Sequence, residues 1–137
     1  MYTSFRGIYP HSTGTDQFIY TSFLRDSKLV FSRINYVSNE VKTIQLIDDY
    51  TEAGLLEMWD SELRGAAVSS GEARIVTIIV DDDGTFYPIS ELRNQYMTEI
   101  LSMTMTANSY NFEVCGYSLV GGIKRASITR YDALRNA

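Results

Sequence analysis

The sequence predicts an α+β domain in which two amphipathic helices pack on a mainly antiparallel sheet. Two observations lead to this prediction. Six segments are rich in β-branched and aromatic residues and are bounded by short polar or glycine-containing turns, which is typical of strands. Two other segments carry apolar residues three and four positions apart, which is typical of one face of a helix. The expected element order is β-β-β-α-β-α-β-β.

The predicted strands fall into three groups. The first group, a predicted meander, comprises residues 17–24, 29–37 and 41–47. Residues 73–80 carry β-branched side chains on both faces, and so they predict a central strand covered on two sides. Residues 112–120 and 123–131 flank Gly121-Gly122, a dipeptide typical of a two-residue hairpin turn.

The predicted helices follow from apolar spacing. The first covers residues 51–67, where the apolar stripe includes Leu56, Trp59 and Leu63. We expect the side chain of Trp59 to be buried against the sheet. The second helix is predicted to begin at Ser90, which is a suitable capping residue, and to end near residue 107.

Length and composition favour one folded domain over residues 1–137. The 45% hydrophobic and 21% charged residues are an ordinary globular composition. Residues 1–15 contain glycine, proline and hydroxyl side chains without periodicity, so we expect an irregular lead-in there. No apolar run approaches the roughly 20 residues of a membrane-spanning helix, and no signal peptide is recognisable. We therefore expect a cytoplasmic protein, from a bacterial or host cytosol or a virion, without a membrane partner.

Charge is distributed unevenly along the chain. The net charge is −5, yet residues 121–137 carry four basic residues against one acidic residue. Residues 48–99, which we call the acidic belt, hold 12 acidic and 3 basic residues. Because an acidic surface repels phosphates, we do not expect general nucleic acid binding.

The run Asp81-Asp82-Asp83-Gly84 is the densest group of carboxylates in the sequence. Carboxylates at the end of a strand can hold a divalent cation, but an EF-hand loop needs glycine at its sixth position and glutamate at its twelfth. Those positions are here Phe86 and Leu92. Aspartate and glycine are also preferred turn residues. We therefore interpret the run as a solvated turn and assign no metal ligand and no cofactor.

Other residues with reactive side chains are isolated in the sequence. Cys115 is the only cysteine and lies in a predicted strand, so we expect a buried core position without a disulfide. His11 is the only histidine, which excludes zinc motifs built from cysteine and histidine. The residues around His11 match no nucleophile motif, so no catalytic residue is assigned and a non-enzyme is favoured.

The predicted function is binding to another protein without catalysis. The chain has ten tyrosines, and only three lysines against nine arginines, a bias that is typical of protein interfaces. Such an acidic protein would occupy a partner's surface, as inhibitors, immunity proteins and viral counter-defence proteins do, and would be steered to a basic partner. The expected interaction residues are Asp81, Asp82, Asp83, Asp60, Glu57 and Tyr87.

Two alternative functions stay open at this point. One is a structural subunit of a virion or another homo-oligomeric assembly. The other is a small metal-dependent enzyme or ligand binder that uses Asp81–Asp83, because convergent carboxylates are a starting point for a site.

Overall fold

The protein forms three antiparallel β-sheets in a computed structural model, which describes residues 2–13, 16–59, 62–94, 96–105 and 111–132. The first sheet consists of β1 (Tyr2–Thr13), β2 (Asp16–Arg25), β3 (Lys28–Asn35) and β4 (Glu40–Asp49). The middle sheet consists of β5 (Glu52–Trp59), β6 (Glu62–Ser69), β7 (Glu72–Val80) and β8 (Phe86–Asn94). The third sheet consists of β9 (Met97–Met105), β10 (Asn111–Val120) and β11 (Ile123–Asp132).

Each sheet is a meander, because strands that follow one another in the chain are also hydrogen-bonded neighbours. Tight turns make this order possible. Asp26 and Ser27 connect β2 to β3 with φ values of 52° and 67°. Gly121 and Gly122 connect β10 to β11 with φ values of 57° and 77°, which confirms the predicted hairpin. Two successive positive φ values match the right-handed twist of the flanking strands.

The first and middle sheets pack face to face through a core of aromatic and aliphatic side chains. Phe31 in β3 is fully buried and lies against Gly65 in β6. A Cβ atom at Gly65 would stand 2.6 Å from a ring carbon of Phe31, so only glycine fits here without displacing the ring. The buried members of this core are Phe18, Tyr20, Leu24, Leu29, Phe31, Tyr50, Ala53, Leu56, Met58, Leu63, Ala67, Val76, Ile78, Val80 and Phe86.

The middle and third sheets share a second core on the opposite face of the middle sheet. Alternation along β7 explains this arrangement, since Val76 and Ile78 point to the first sheet while Ile75 points to the third. The buried members of the second core are Ala66, Val68, Ala73, Ile75, Met97, Ile100, Met103, Val114 and Tyr131. The middle sheet is therefore covered on both faces, and the predicted two-sided burial of residues 73–80 is confirmed.

The predicted α+β fold with order β-β-β-α-β-α-β-β is wrong, because the described residues contain no helix. Within the first predicted helix, residues 52–59 form β5 and residues 62–67 belong to β6; within the second, residues 90–94 end β8 and residues 97–105 form β9. When both faces of a sheet are buried, apolar residues need not alternate with polar ones, and their spacing can resemble that of a helix. Trp59 ends β5, and its side chain lies outside the described part of the structure.

The strand predictions have a different outcome. Strands are confirmed at all six predicted positions, although they belong to three sheets rather than one. The expected irregular lead-in is wrong, because residues 2–13 form β1. The prediction that Cys115 is a core residue is wrong, because this side chain is only partly buried. None of the described residues belongs to a helix long and apolar enough to cross a membrane.

The close approach of Gly65 to Phe31 can be tested by substitution. We expect Gly65→Ala to lower the free energy of unfolding by about 1–3 kcal/mol, because the added methyl group overpacks the core. Combining it with Phe31→Leu should restore space. The double variant should therefore lose less unfolding free energy than the two single variants lose together, by about 0.5 kcal/mol or more. Urea denaturation of the four proteins measures this coupling, and strictly additive losses would show that the two residues do not compete for space.

Candidate functional site

The acidic turn, Asp81–Gly84, joins β7 to β8 and is held by its own hydrogen bonds. The N–H of Gly84 donates to the carbonyl oxygen of Asp81 at 2.9 Å, and the N–H of Asp81 donates to that of Thr85 at 2.9 Å. The N–H of Thr85 donates to a carboxylate oxygen of Asp83 at 3.0 Å. The three aspartate side chains are exposed. The run is therefore a turn, as interpreted from sequence, and hydrogen bonds within the turn hold its backbone.

Arg33 of β3, a strand of the first sheet, contacts the backbone of the acidic turn. Its side chain is buried, and its guanidinium lies over the ring of Phe18, 4.1 Å from the centroid. One guanidinium nitrogen donates a long hydrogen bond of 3.4 Å to the carbonyl oxygen of Asp82. Gly84, with a φ of 89°, leaves the space that the guanidinium occupies, since a Cβ atom there would collide with it. The first sheet thus fixes the position of a turn in the middle sheet.

The charges of the acidic turn also act on Tyr87. The negative charge of Asp81 and a hydrogen bond to its carboxylate raise the pKa of the Tyr87 hydroxyl. The backbone N–H of Thr85 lowers the pKa of Asp83, so this carboxyl group is ionised at neutral pH. The side chain of Tyr87 is 48% exposed. The turn consequently presents fixed negative charge next to an accessible aromatic ring.

Strand β8 continues from the turn along the border of the middle sheet. Among the described strands it pairs with β7 alone. Pro88, which has no N–H to donate, and the exposed Ile89 lie on this edge. Proline is typical of edge strands because it has no N–H to donate to a neighbouring strand. An apolar strip therefore follows directly from the acidic turn.

A groove of about 440 Å³ separates β8 from β4 of the first sheet. Its walls are apolar, and its rim carries the carboxylates of Asp48 and Glu91. The residues around the groove are Ile44, Gln45, Leu46, Ile47, Asp48, Tyr50, Val76, Pro88 and Glu91.

Arg74 of β7 connects the two carboxylates of the groove. One of its terminal nitrogens lies 2.8 Å from Glu91 and 3.2 Å from Asp48. Its guanidinium is buried and stands 5.8 Å from the ring centroid of Tyr50. Burial and the charge of Glu91 raise the pKa of Tyr50 to about 12, although Arg74 acts in the opposite direction. With two carboxylates and one guanidinium, the groove carries a net negative charge.

Arg64 of β6 is also buried, on the face of the middle sheet that meets the third sheet. It pairs with Glu62 at 3.0 Å and donates to the hydroxyl of Thr77 at 3.3 Å. Burial lowers the pKa of Arg64, while Glu62 opposes this effect. Two of the three basic residues of the acidic belt, Arg64 and Arg74, are therefore removed from the surface. The exposed surface of the belt therefore has a higher ratio of acidic to basic residues than the belt as a whole.

The structure brings together four of the six predicted interaction residues, namely Asp81, Asp82, Asp83 and Tyr87. Glu57 lies in β5, where its backbone is opposite Arg64, but its side chain is outside the description. Asp60 lies wholly outside the described residues.

The buried arginines and the groove were not predicted from sequence. A signal was present, because Arg33 and Arg74 each interrupt a strand that is otherwise rich in apolar residues. A charged residue in such a strand must find a partner or stack on a ring, and so it marks a polar contact between sheets.

The carboxylates of the acidic turn do not form a metal-binding group. Across the described ranges, no cluster of three or more histidine, cysteine, aspartate or glutamate side chains has a suitable arrangement for a metal ion. The geometry thus gives the metal-dependent alternative no support.

Comparisons with protein-family models, with curated proteins and with solved structures found no match for this chain.

The raised pKa of Tyr50 predicts a specific loss of stability at alkaline pH. Because the pKa in the folded protein is about 12 and that of an unfolded tyrosine is about 10, the neutral hydroxyl stabilises the fold fully below pH 10. This contribution, about 2–3 kcal/mol, should be lost as the pH rises through 12. We expect Tyr50→Phe, which cannot ionise, to show a smaller fall in unfolding free energy over that range.

A matched control for this measurement is Tyr96→Phe, since Tyr96 is an exposed tyrosine. It should follow the pH dependence of the wild-type protein in denaturant titrations between neutral and strongly alkaline pH. If Tyr50→Phe loses as much stability as the wild type, ionisation of Tyr50 does not limit alkaline stability.

Proposed function

We propose that the protein is a non-catalytic acidic protein-binding module that acts by occupying a partner's surface, as inhibitor, immunity or viral counter-defence proteins do. The observation that carries this proposal is the acidic turn. Three exposed carboxylates stand there on a hydrogen-bonded backbone, next to the accessible ring of Tyr87. This combination supplies both long-range attraction and a site for close contact.

The rigidity of the turn favours binding. A surface that already has its bound shape loses less conformational entropy on association. Arg33 and the turn's own hydrogen bonds provide such preorganisation. Tyr87 and Ile89 add exposed apolar area, and an aromatic residue with polar neighbours is a common centre of binding energy.

The expected partner is a protein with a basic surface. Exposed carboxylates accelerate the encounter with positive charge and disfavour acidic partners. The groove beside β8 suits a basic side chain in particular, because Leu46, Val76 and Pro88 can cover the aliphatic stem while Asp48 and Glu91 accept its charged end. Lysine or arginine on the partner would fit this site.

A structural subunit of a homo-oligomeric assembly is the second candidate function. It is favoured by one observation, the exposure of Leu119 and Ile128 on the third sheet. This surface is separate from the acidic turn, so the two functions do not exclude each other.

The proposal is tested by identifying a partner and then changing the charge of the turn. Affinity capture with the wild-type protein, followed by mass spectrometry, should yield a specific basic partner. Asp81→Asn combined with Asp82→Asn should slow association with that partner by roughly 3- to 10-fold at low ionic strength, because exposed charges mainly affect the encounter rate. Stopped-flow or surface-based kinetics measure this rate.

The control for charge alone is Asp26→Asn combined with Glu40→Gln. This variant removes the same number of exposed carboxylates at positions outside the acidic belt. It should retain nearly the wild-type rate, whereas the turn variant should also show a shallower salt dependence. Equal salt slopes for the wild type and the turn variant would exclude the turn from recognition.

A further inference from the structure

The groove between β4 and β8 lies where both of these edge strands depart from a regular ladder. In β4, residues 46–48 lie opposite the single residue Leu29 of β3. In β8, Ile89 has no counterpart in the register with β7. A β-bulge bends its strand and redirects the side chains around it. The bulge in β4 thus accompanies the contact of Asp48 with Arg74, which belongs to the other sheet.

The two bulges also restrict what the groove can bind. An extended segment that paired with either edge would need a regular row of free N–H and C=O groups. Bulges interrupt such a row, and Pro88, beside the bulge of β8, has no N–H to contribute. The groove therefore suits a side chain that enters from a partner better than a strand that extends the sheet.

One buried arginine holds the two carboxylates of the groove. Nη1 of Arg74 donates to Oδ2 of Asp48 at 3.2 Å and to Oε1 of Glu91 at 2.8 Å. Asp48 belongs to β4 and Glu91 to β8, so opposite sides of the groove meet at a single nitrogen atom. Among the described residues, nothing donates a hydrogen bond to the other oxygen of either carboxylate. Each side of the groove thus keeps one acceptor for a further donor.

The charges around Arg74 leave an excess of negative charge. A third carboxylate, that of Glu72, lies 4.0 Å from the same guanidinium. Arg93, an exposed residue farther along β8, forms no ion pair with Asp48 or Glu91 in the described structure. The side chain of Glu91 is only 31% exposed, and salt screens a partly buried charge less than an open one. The groove therefore favours a cation.

The lysines of the chain do not supply this cation. All three form ion pairs with carboxylates outside the groove: Lys28 with Asp49 at 2.6 Å, Lys42 with Glu40 at 3.9 Å, and Lys124 with Glu99 at 2.7 Å. A lysine in the groove would have to come from another molecule.

We propose that the groove binds one lysine side chain of the partner. This inference rests on the proposed function, because it gives the basic partner a defined point of contact. The aliphatic stem packs against Leu46, Val76 and Pro88, while the ammonium group donates to Asp48 and Glu91. The acidic turn then attracts the partner, and the groove holds it.

The way in which Arg74 uses the carboxylates favours lysine over arginine. An ammonium group has three N–H donors on a rotatable stem, so it can bridge one oxygen of Asp48 and one of Glu91. A guanidinium pairs best with both oxygens of one carboxylate. Here one oxygen of each carboxylate already accepts a hydrogen bond from Arg74. A second guanidinium would have to share that oxygen.

The first test needs no partner and uses amino-acid derivatives as probes. N-acetyl-lysine methylamide should cause saturable shifts in the amide NMR signals of Leu46, Val76 and Glu91 of the full chain. N-acetyl-arginine methylamide should bind about 3-fold more weakly or worse, because its fork has no free carboxylate to pair with. The norleucine derivative has an aliphatic side chain without the charge, and it should cause no saturable shift.

Substitution of the carboxylates tests the same site. Glu91→Gln should weaken binding of the lysine probe by about 5-fold or more, because a charged acceptor is lost. The matched control is Glu40→Gln, which removes an exposed carboxylate at the opposite end of β4 and should leave the affinity unchanged. Circular dichroism checks the fold of each variant. If Glu91→Gln does not fold, Asp48→Asn takes its place, since the Asp48 side chain is 55% exposed.

The turn variant separates this inference from the proposed function. Asp81→Asn combined with Asp82→Asn should bind the lysine probe like the wild type, although it associates more slowly with the captured partner. Glu91→Gln should instead speed dissociation from that partner, because loss of a partly buried contact acts mainly on the dissociation rate.

Three results would overturn the lysine site even if the turn variant slows association: no saturable shift with the lysine probe, equal or tighter binding of the arginine or norleucine derivative, or equal losses in Glu91→Gln and Glu40→Gln. A turn variant that associates at the wild-type rate would instead contradict the role of the acidic turn and leave the result for the groove unchanged.

Discussion

The burial of the middle sheet on both faces is the constraint on which the rest of the structure depends. Along β7, Ile78 contributes to the core against the first sheet, while Ile75 contributes to the core against the third. A sheet with two apolar faces is stable in water only when both are covered, and each covering layer here is another antiparallel sheet. The meander pairs neighbouring strands of each layer through hydrogen bonds and short connections. The positions of the two cores thus follow from one requirement.

The same constraint determines the charge of the surface. A guanidinium between two sheets is costly to bury unless it is paired or hydrogen-bonded, and breaking such a pair leaves an uncompensated charge. Arg64 and Arg74 meet this requirement with Glu62, Glu91 and Asp48. Two of the three positive charges in the acidic belt are consequently directed inward, while Asp81–Asp83 remain outside on the turn. The acidic surface that we propose for binding is therefore partly a consequence of how the core accommodates its arginines.

Features that depend on neighbouring residues could be predicted from the sequence, and features that depend on contacts between distant segments could not. The hairpin at Gly121-Gly122 and the turn at Asp81–Gly84 depend on neighbouring residues, and both were identified correctly. Residues 51–67 were assigned to a helix because two-sided burial removes the alternation that marks a strand. The groove between β4 and β8 could not be predicted from the sequence either. It depends on Asp48 and Glu91, which lie far apart in sequence and meet only after two sheets have packed.

The two exposed surfaces follow different electrostatic rules. Two acidic turns repel each other, so this surface favours a basic partner and disfavours a second copy of the same chain. The face of the third sheet that points away from the middle sheet pairs its own charges, Glu99 with Lys124 and Glu113 with Arg130, and so it does not select partners by net charge. What remains there is apolar area around Ile128, for which shape and burial decide the partner.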